Sequence, residues 1–483
     1  MKDEPIDTKQ AITNKALFDA LYNFSLESAD ILRKKHESDA PLTCLSGHQA
    51  QIDEFGTVTS DFKTQPDTDA TFKSLLLRVL LKENPPQYSK FIQTHWDDLA
   101  GLSSYKNCVE EMEKDERFSM HLGSIVGAMY EAFSQSSTDY LVMYLERLFR
   151  LCRGIRVEEK ESEQVFASLE SFIRGNKVEY LGFAALWDFF GYDPPIEITS
   201  SARIVNTTQS RLYQFFGVPG GLQMPLSPLN WDFSWVLEFH GFASKLIEQN
   251  PKKKINLPGD IEPLSKLEEI TSAMKLWKHG LFHNALLHVF IVDWIRPAGL
   301  SGGPYPTRPR IWMPQVSYQL MPDELSQFRA HCEFFLTTEK PESARIAIDR
   351  FSSAYNRHNV RDQLIDYIIA FEALLLEGKS ELKEKLARRV AIYLEDDIHK
   401  RIIIQKMIQE AYDIRSSLVH GTGVDSIEKI LRKRKMKIHR FVYNIERLTR
   451  RCINKYIISN RNGLNKSDII NKIDLVSLGF DIS

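Results

Sequence analysis

Long apolar runs are missing from this chain. No stretch approaches the eighteen or so uninterrupted apolar residues that a membrane-spanning helix needs. Cysteine is scarce: five in 483 residues (Cys44, Cys108, Cys152, Cys332, Cys452), scattered and odd in number, with no CxxC pair. That pattern argues against a disulfide framework and against a structural zinc site. No internal repeat appears at the usual solenoid periods. The first ten residues, MKDEPIDTKQ, are polar and acidic, unlike a secretory signal or an Arg-rich transit peptide. These absences predict a cytosolic protein with no membrane partner. What is present is the composition of a globular protein: 43% hydrophobic, 26% charged and 11% aromatic residues.

Net charge is also nearly absent, at −2, but the balance is uneven along the chain. Residues 345–460 hold 24 Lys and Arg against 15 Asp and Glu, a net of +9, which leaves −11 for the remainder. A basic C-terminal module on an acidic body suits a polyanionic partner such as RNA; a solvated basic surface is the alternative.

The length suggests two to four domains. Helical spacing of apolar residues predicts helices over 10–36, about 68–95 and about 104–152. The stretch TVTSDFKTQPDTDAT reads as a loop between the first two. The Pro pair closing EYLGFAALWDFFGYDPP marks a boundary at 195, and the β-branched IEITSSARIVNTTQSRLYQFF beyond it is the best strand candidate. A helix is expected over about 262–295, a Pro/Gly loop over 297–310 and a strand near 312–320. From 341 four helical segments can be drawn: 341–377, 380–395, 397–420 and 425–458. Gly378, Glu395-Asp-Asp397 and Gly421-Thr-Gly423 punctuate them. The expectation is a mainly α protein: a helical N-terminal region (1–195), a mixed middle (196–340) with strand around 196–235 and 311–320, an antiparallel C-terminal bundle (341–460) and a polar tail (461–483).

Several motifs invite a chemical reading. Gly299-Leu-Ser301-Gly-Gly303 fits the G-x-S-x-G of a hydrolase elbow, but PYPTRPR follows where that elbow needs a helix, so a loop is expected. His279, His283 and His288 fall on one expected helix without the Glu or acidic third ligand of a zinc site, and are read as packing or surface residues. Cys44 and His48 stand alone. No metal or cofactor site is expected. Two histidines have an Arg five positions earlier: His420 (Arg415) and His439 (Arg434). Arg434 and His439 lie in LRKRKMKIHR, expected as mid-helix, where five residues separate side chains by about 140°. Arg415-Ser-Ser-Leu-Val-His420 is expected to end its helix, with Gly421 as the left-handed C′ residue. There an Arg fork, two hydroxyls and a His form a small phosphate-handling set.

The stretch 341–459 resembles the HEPN superfamily, specifically the ApeA-like HEPN domains of prokaryotic anti-phage defence proteins. Ala347-Ile-Asp-Arg-Phe351 and Ala354 resemble the lead-in to its first long helix. Leu364-Ile-Asp-Tyr-Ile-Ile-Ala-Phe-Glu372-Ala-Leu-Leu375 resembles the acidic helix, and Glu381 with Leu386-Ala-Arg-Arg389-Val-Ala391 the second. Tyr412-x2-Arg415-Ser416-x2-Val419-His420-Gly421 is similar to the R-x4-6-H signature. The match covers about a quarter of the chain, in order.

The resemblance implies a metal-independent endoribonuclease that works as a homodimer, its two signature segments meeting in one composite site. His420 would then be general base on the ribose 2′-hydroxyl or acid on the leaving 5′-oxygen. Arg415 would hold the scissile phosphate, with Glu372 orienting it. Ser416 would hydrogen-bond within the motif, and Tyr412 would pack beside the site or stack on a base. Products would carry 2′,3′-cyclic phosphate and 5′-hydroxyl ends. The basic run Arg432, Lys433, Arg434, Lys435, Lys437 and Arg440 would steer RNA through phosphate contacts. The substrate would be host or phage RNA, with tRNA one candidate. The N-terminal region would act as sensor, and a phage protein or nucleic acid would be the trigger. The rival reading is a catalytically inactive HEPN module that binds RNA or mediates dimerisation.

Overall fold

The computed structural model describes residues 12–38, 50–52, 58–60, 88–122, 125–128, 131–134, 136–192, 194–206, 234–244, 246–248, 254–256, 261–280, 282–291, 294, 299–301, 317–357, 359–377, 382–420 and 424–480. The fold is mainly α with an antiparallel sheet. Two compact units divide the chain: Met1–Trp187, Asp193–Leu267 and His283–Arg308 form the first; Asp188–Tyr192, Glu268–Phe282 and Pro309–Ser483 form the second.

The first unit opens with α1 (Lys15–Ser38), a hairpin of β1 (Ala50–Ile52) and β2 (Val58–Ser60), and four shorter helices, α2 (Tyr88–Thr94), α3 (Trp96–Ala100), α4 (Ser103–Lys114) and α5 (Glu116–His121). Strands β3 (Ile125–Ala128) and β4 (Glu131–Ser134) precede α6 (Ser137–Leu151) and α7 (Glu159–Arg174). The unit's centre is β5 (Lys177–Trp187). It is buried along most of its length, as its near-continuous apolar text VEYLGFAALW requires. A short β6 (Phe189–Phe190) follows, then β7 (Ile196–Thr199), β8 (Ala202–Asn206), β9 (Trp235–Ser244), β10 (Leu246–Glu248) and β11 (Lys254–Asn256). Helix α8 (Ile261–Trp277), β12 (His283–Ile291) and β13 (Gly299–Ser301) complete this part of the chain. The six-stranded sheet runs β13-β12-β5-β9-β8-β7, all antiparallel. Its β5–β9 register is fixed by two cross-strand glycine–aromatic pairs, Gly182 opposite Phe239 and Tyr180 opposite Gly241. A Cβ on Gly182 would lie 2.3 Å from the Phe239 ring, so only glycine lets that ring lie flat across the strand.

Several expectations are corrected here. Residues 104–152 are not one helical stretch: α4 and α5 are followed by β3 and β4 before α6 begins. The loop reading of 57–71 fails at Val58–Ser60, which is β2. A boundary at 195 would detach β5 from its sheet partner β9, so 1–195 is not a helical region by itself. The helix expected over 262–295 stops at Trp277, and His283–Ile291 pairs with β5 as a strand. Its sequence HNALLHVFI combines β-branched and aromatic residues that suit a pleated surface, a preference that outweighs the helical spacing.

In the second unit β14 (Tyr318–Gln319) pairs in parallel with β6. Eight helices follow: α9 (Leu325–Thr337), α10 (Glu342–Tyr355), α11 (Val360–Leu375), α12 (Leu382–Leu394), α13 (Ile398–His420), α14 (Val424–Lys433), α15 (Ile438–Arg461) and α16 (Lys466–Ser477). The segment expected over 341–377 is two helices because Asn359 restarts it, its side chain accepting from Arg361 N at 3.0 Å. Asp397 starts α13 in the same way, accepting from Lys400 N at 2.8 Å. The segment 425–458 also breaks. Met436 N donates to Leu431 O and Lys435 N to Arg432 O, while Lys435 sits at φ 51°, the hydrogen-bond pattern of a Schellman ending. The tail beyond 460 is not merely polar: α16 buries Ile469, Ile470 and Ile473 beneath an Asn465/Asp468 capping box.

The core of this unit is a set of helical stripes: Ile368, Phe371, Leu374 and Leu375 on α11; Leu386 and Val390 on α12; Ile404, Ile408, Ala411 and Ile414 on α13; Phe441, Ile445, Cys452 and Ile453 on α15. Each such large side chain contributes roughly 1.5–3 kcal/mol on burial. These stripes dock α11 against α10, α13 and α15, and α12 against α13.

Candidate functional site

The buried stripe of α13 ends at Ile414, and the next residue, Arg415, is turned toward α11. Its Nη2 donates to Glu372 Oε2 at 3.4 Å, a long contact that joins the two helices. Both side chains are partly covered, 26% and 20% exposed. Among the described residues the buried Nε of Arg415 has no hydrogen-bond partner. The guanidinium also lies 5.4 Å from the ring of Tyr412, one turn earlier. Burial pushes the Glu372 carboxyl above its ordinary value, and the charge of Arg415 opposes that shift. Two further polar ties fasten α12 to α13 nearby: Lys383 with Asp413 at 2.7 Å, and Gln409 donating to Glu384 at 2.6 Å.

Glu372, Tyr412 and Arg415 are thus brought together, with Ser416 partly buried beside them in sequence. The backbone of α13 stays helical through His420, its last residue. The side chain of His420, and Gly421 with its expected left-handed cap, lie outside the described residues, as do Glu381 and the pair Cys44 and His48.

The second Arg-x4-His copy is not mid-helix. Helix α14 stops at Lys433, Arg434 to Lys437 form the turn, and His439 stands in the first turn of α15. Arg434 is held by Glu410 of α13. Of the basic run, Arg432 pairs with Glu428 at 2.7 Å, while Lys433, Lys435, Lys437 and Arg440 are exposed.

The three histidines do not share a helix. His279 follows α8, and His283 and His288 belong to β12, with His283 buried. Gly299–Ser301 is β13, an edge strand paired with β12. Among the described residues no three His, Cys, Asp or Glu side chains gather as a metal site, and no helix is long and apolar enough to cross a membrane.

One polar cluster escaped the sequence reading. Glu446 and Arg450, one turn apart on the buried face of α15, form an ion pair, and the Tyr355 hydroxyl donates to Glu446 at 2.7 Å. Arg450 also donates to Tyr355 at 2.9 Å and to the Lys275 carbonyl at 3.0 Å. The available signal was two opposite charges four apart within the apolar stripe Phe441-Val442-Ile445-Leu448-Cys452.

No family model matches the chain, and no curated protein or solved structure matches it either.

Proposed function

We propose that the chain is a HEPN-type endoribonuclease of the cytosol, acting on host or phage RNA in anti-phage defence, with residues 1–340 regulating it. The observation that carries this reading is the Arg415–Glu372 pair. It ties the acidic helix to the helix that ends at His420. A partly covered carboxylate anchors the Arg through a long contact, so its charge is preorganised for a phosphate without being neutralised by a close salt bridge.

In this mechanism His420 removes the proton of a ribose 2′-hydroxyl, and that oxygen attacks the adjacent phosphorus. The bond to the 5′-oxygen breaks, and that oxygen takes up a proton, leaving 2′,3′-cyclic phosphate and 5′-hydroxyl ends. Arg415 stabilises the charge that develops on the phosphoryl oxygens. The second protomer supplies the opposing His420. Support for a homodimer comes from α13 itself: Ile398, Ile402 and Val419 are 57–59% exposed. At about 100° per residue they share a face with Tyr412 and Ser416.

The test is cleavage of total bacterial RNA by the purified protein, with end chemistry mapped by sequencing. Arg415→Ala and His420→Ala should each abolish cleavage while leaving the melting transition in place, and cleavage by the parent should persist in excess EDTA. Parent-like cleavage by both variants would remove the site. Dependence on a metal would remove the mechanism.

A further inference from the structure

On α15, Arg440, Tyr443 and Arg447 occupy positions i, i+3 and i+7, one face of the helix. The Arg440 and Arg447 guanidiniums lie 5.3 and 5.9 Å from the centre of the Tyr443 ring. Both arginines are exposed, and among the described residues neither has a carboxylate within ion-pair distance. The ring of His279 meets Tyr443 edge-on at 4.5 Å, its Nδ1 3.3 Å from Glu446 Oε2; among the described residues neither of those buried atoms makes a hydrogen bond.

The layer beneath is also cationic. Lys275 is buried with its ammonium 5.5 Å from the Tyr355 ring and 5.8 Å from the Phe282 ring, and Arg450 lies beside it. Glu446 is the one carboxylate those groups share in the ion pairs just described. Burial depresses the Lys275 amine to about 8, with Glu268 opposing. Among these groups the cations outnumber the anions, and such clustered charge attracts an anionic ligand.

We propose that Arg440, Tyr443 and Arg447 form a second contact site for single-stranded RNA, remote in sequence from Arg415, in which each guanidinium holds a backbone phosphate and the tyrosine ring keeps both forks presented to solvent. Seven residues of helix place the two arginines about 10 Å apart along the axis. That is a rail for a polymer, and the exposed Lys433, Lys435 and Lys437 extend it in sequence. Planar guanidinium forks match phosphate oxygens, and an aromatic side chain among them is the composition of a strand-binding surface. The site rests on the ribonuclease reading only for its choice of polymer; it needs no cleavage.

The experiment is fluorescence anisotropy of a short fluorescein-labelled single-stranded RNA titrated with the full chain carrying His420→Ala, between about 50 and 200 mM salt. Adding Arg440→Ala and Arg447→Ala together should weaken binding roughly tenfold. It should also shallow the slope of log affinity against log salt by about 1.4, two phosphate contacts on a single strand. Tyr443→Ala should weaken binding with little change in slope, and Tyr443→Phe should bind as the parent does. The control is Arg345→Ala, an exposed arginine on α10, which should leave both readouts unchanged. An unchanged affinity and slope in the double variant overturns the proposal, and so does an equal loss with Arg345→Ala. RNA binding that responds as expected, in a protein whose parent cleaves no RNA, keeps this site and removes the catalytic reading.

Discussion

The two Arg-x4-His copies have the same spacing and opposite surroundings. Arg415 and His420 stand on one unbroken helix, and Arg415 looks across to Glu372 on another. Arg434 lies in the Schellman turn that ends α14 and His439 in the first turn of α15, so no helix carries both. Both arginines meet a glutamate, yet the contacts do different things. Arg434 with Glu410 is a close pair that pins the end of α14 to α13. Arg415 with Glu372 is a long contact, 3.4 Å, between partly covered side chains. A spacing therefore says nothing about function until the path of the backbone between its two ends is known.

The largest effect that can break this contrast is catalytic. His420→Ala should lower RNA cleavage by about 10²–10⁴-fold, the range for loss of a general acid or base. His439→Ala should stay within about twofold of the parent in the same gel assay. Equal losses would mean that the copies are equivalent, and a dead His439→Ala protein would mean that the wrong one carries the chemistry.

Much of the bundle around the first copy was legible in the sequence. The stripe Ile404, Ile408, Ala411 and Ile414 has unmistakable helical spacing, and the Arg415–Glu372 contact joins two residues that the family resemblance had paired. The second copy was misread because LRKRKMKIHR contains no Gly or Pro, and a left-handed lysine at 435 leaves no mark in composition. Strand β12 was misread for a related reason: nine mostly apolar residues fit either period, and pairing with the distant β5 decides between them. The Glu446–Arg450 network was hidden because burial of a charged pair depends on what packs over it.

The next effect lies in stability. Arg434 and Glu410 are 18% and 14% exposed, so Glu410→Ala strands a half-buried cation and should cost about 1–2 kcal/mol. Thermal unfolding should show a lower transition with cleavage retained. A transition unchanged within error would mean that the pair contributes nothing to docking α14. A smaller effect of opposite sign is expected at the turn itself. Lys435→Gly relieves a left-handed backbone and should stabilise the protein by about 1 kcal/mol, whereas Lys435→Ala, which also removes the charge, should not. Equal melting of the two variants would assign any gain to charge.

The smallest effect distinguishes the two glutamate contacts by pH. Burial raises the Glu372 carboxyl above its ordinary value in the folded chain, and Arg415 only partly offsets this. Between the ordinary and the raised value the folded state therefore holds more proton than the unfolded state. Stability then falls as pH rises through that window, because the charged form is the one that burial disfavours. Glu372→Gln has no such titration. Relative to this variant the parent should be most stable below the ordinary carboxylate range, and should lose that advantage progressively toward neutrality. Paired melts from about pH 4 to pH 7 read the difference directly. A parent advantage that grows with pH would mean that attraction to Arg415 outweighs burial. Glu372 would then be a plain structural ion-pair partner like Glu410, and Arg415 would already be neutralised rather than held ready for phosphate.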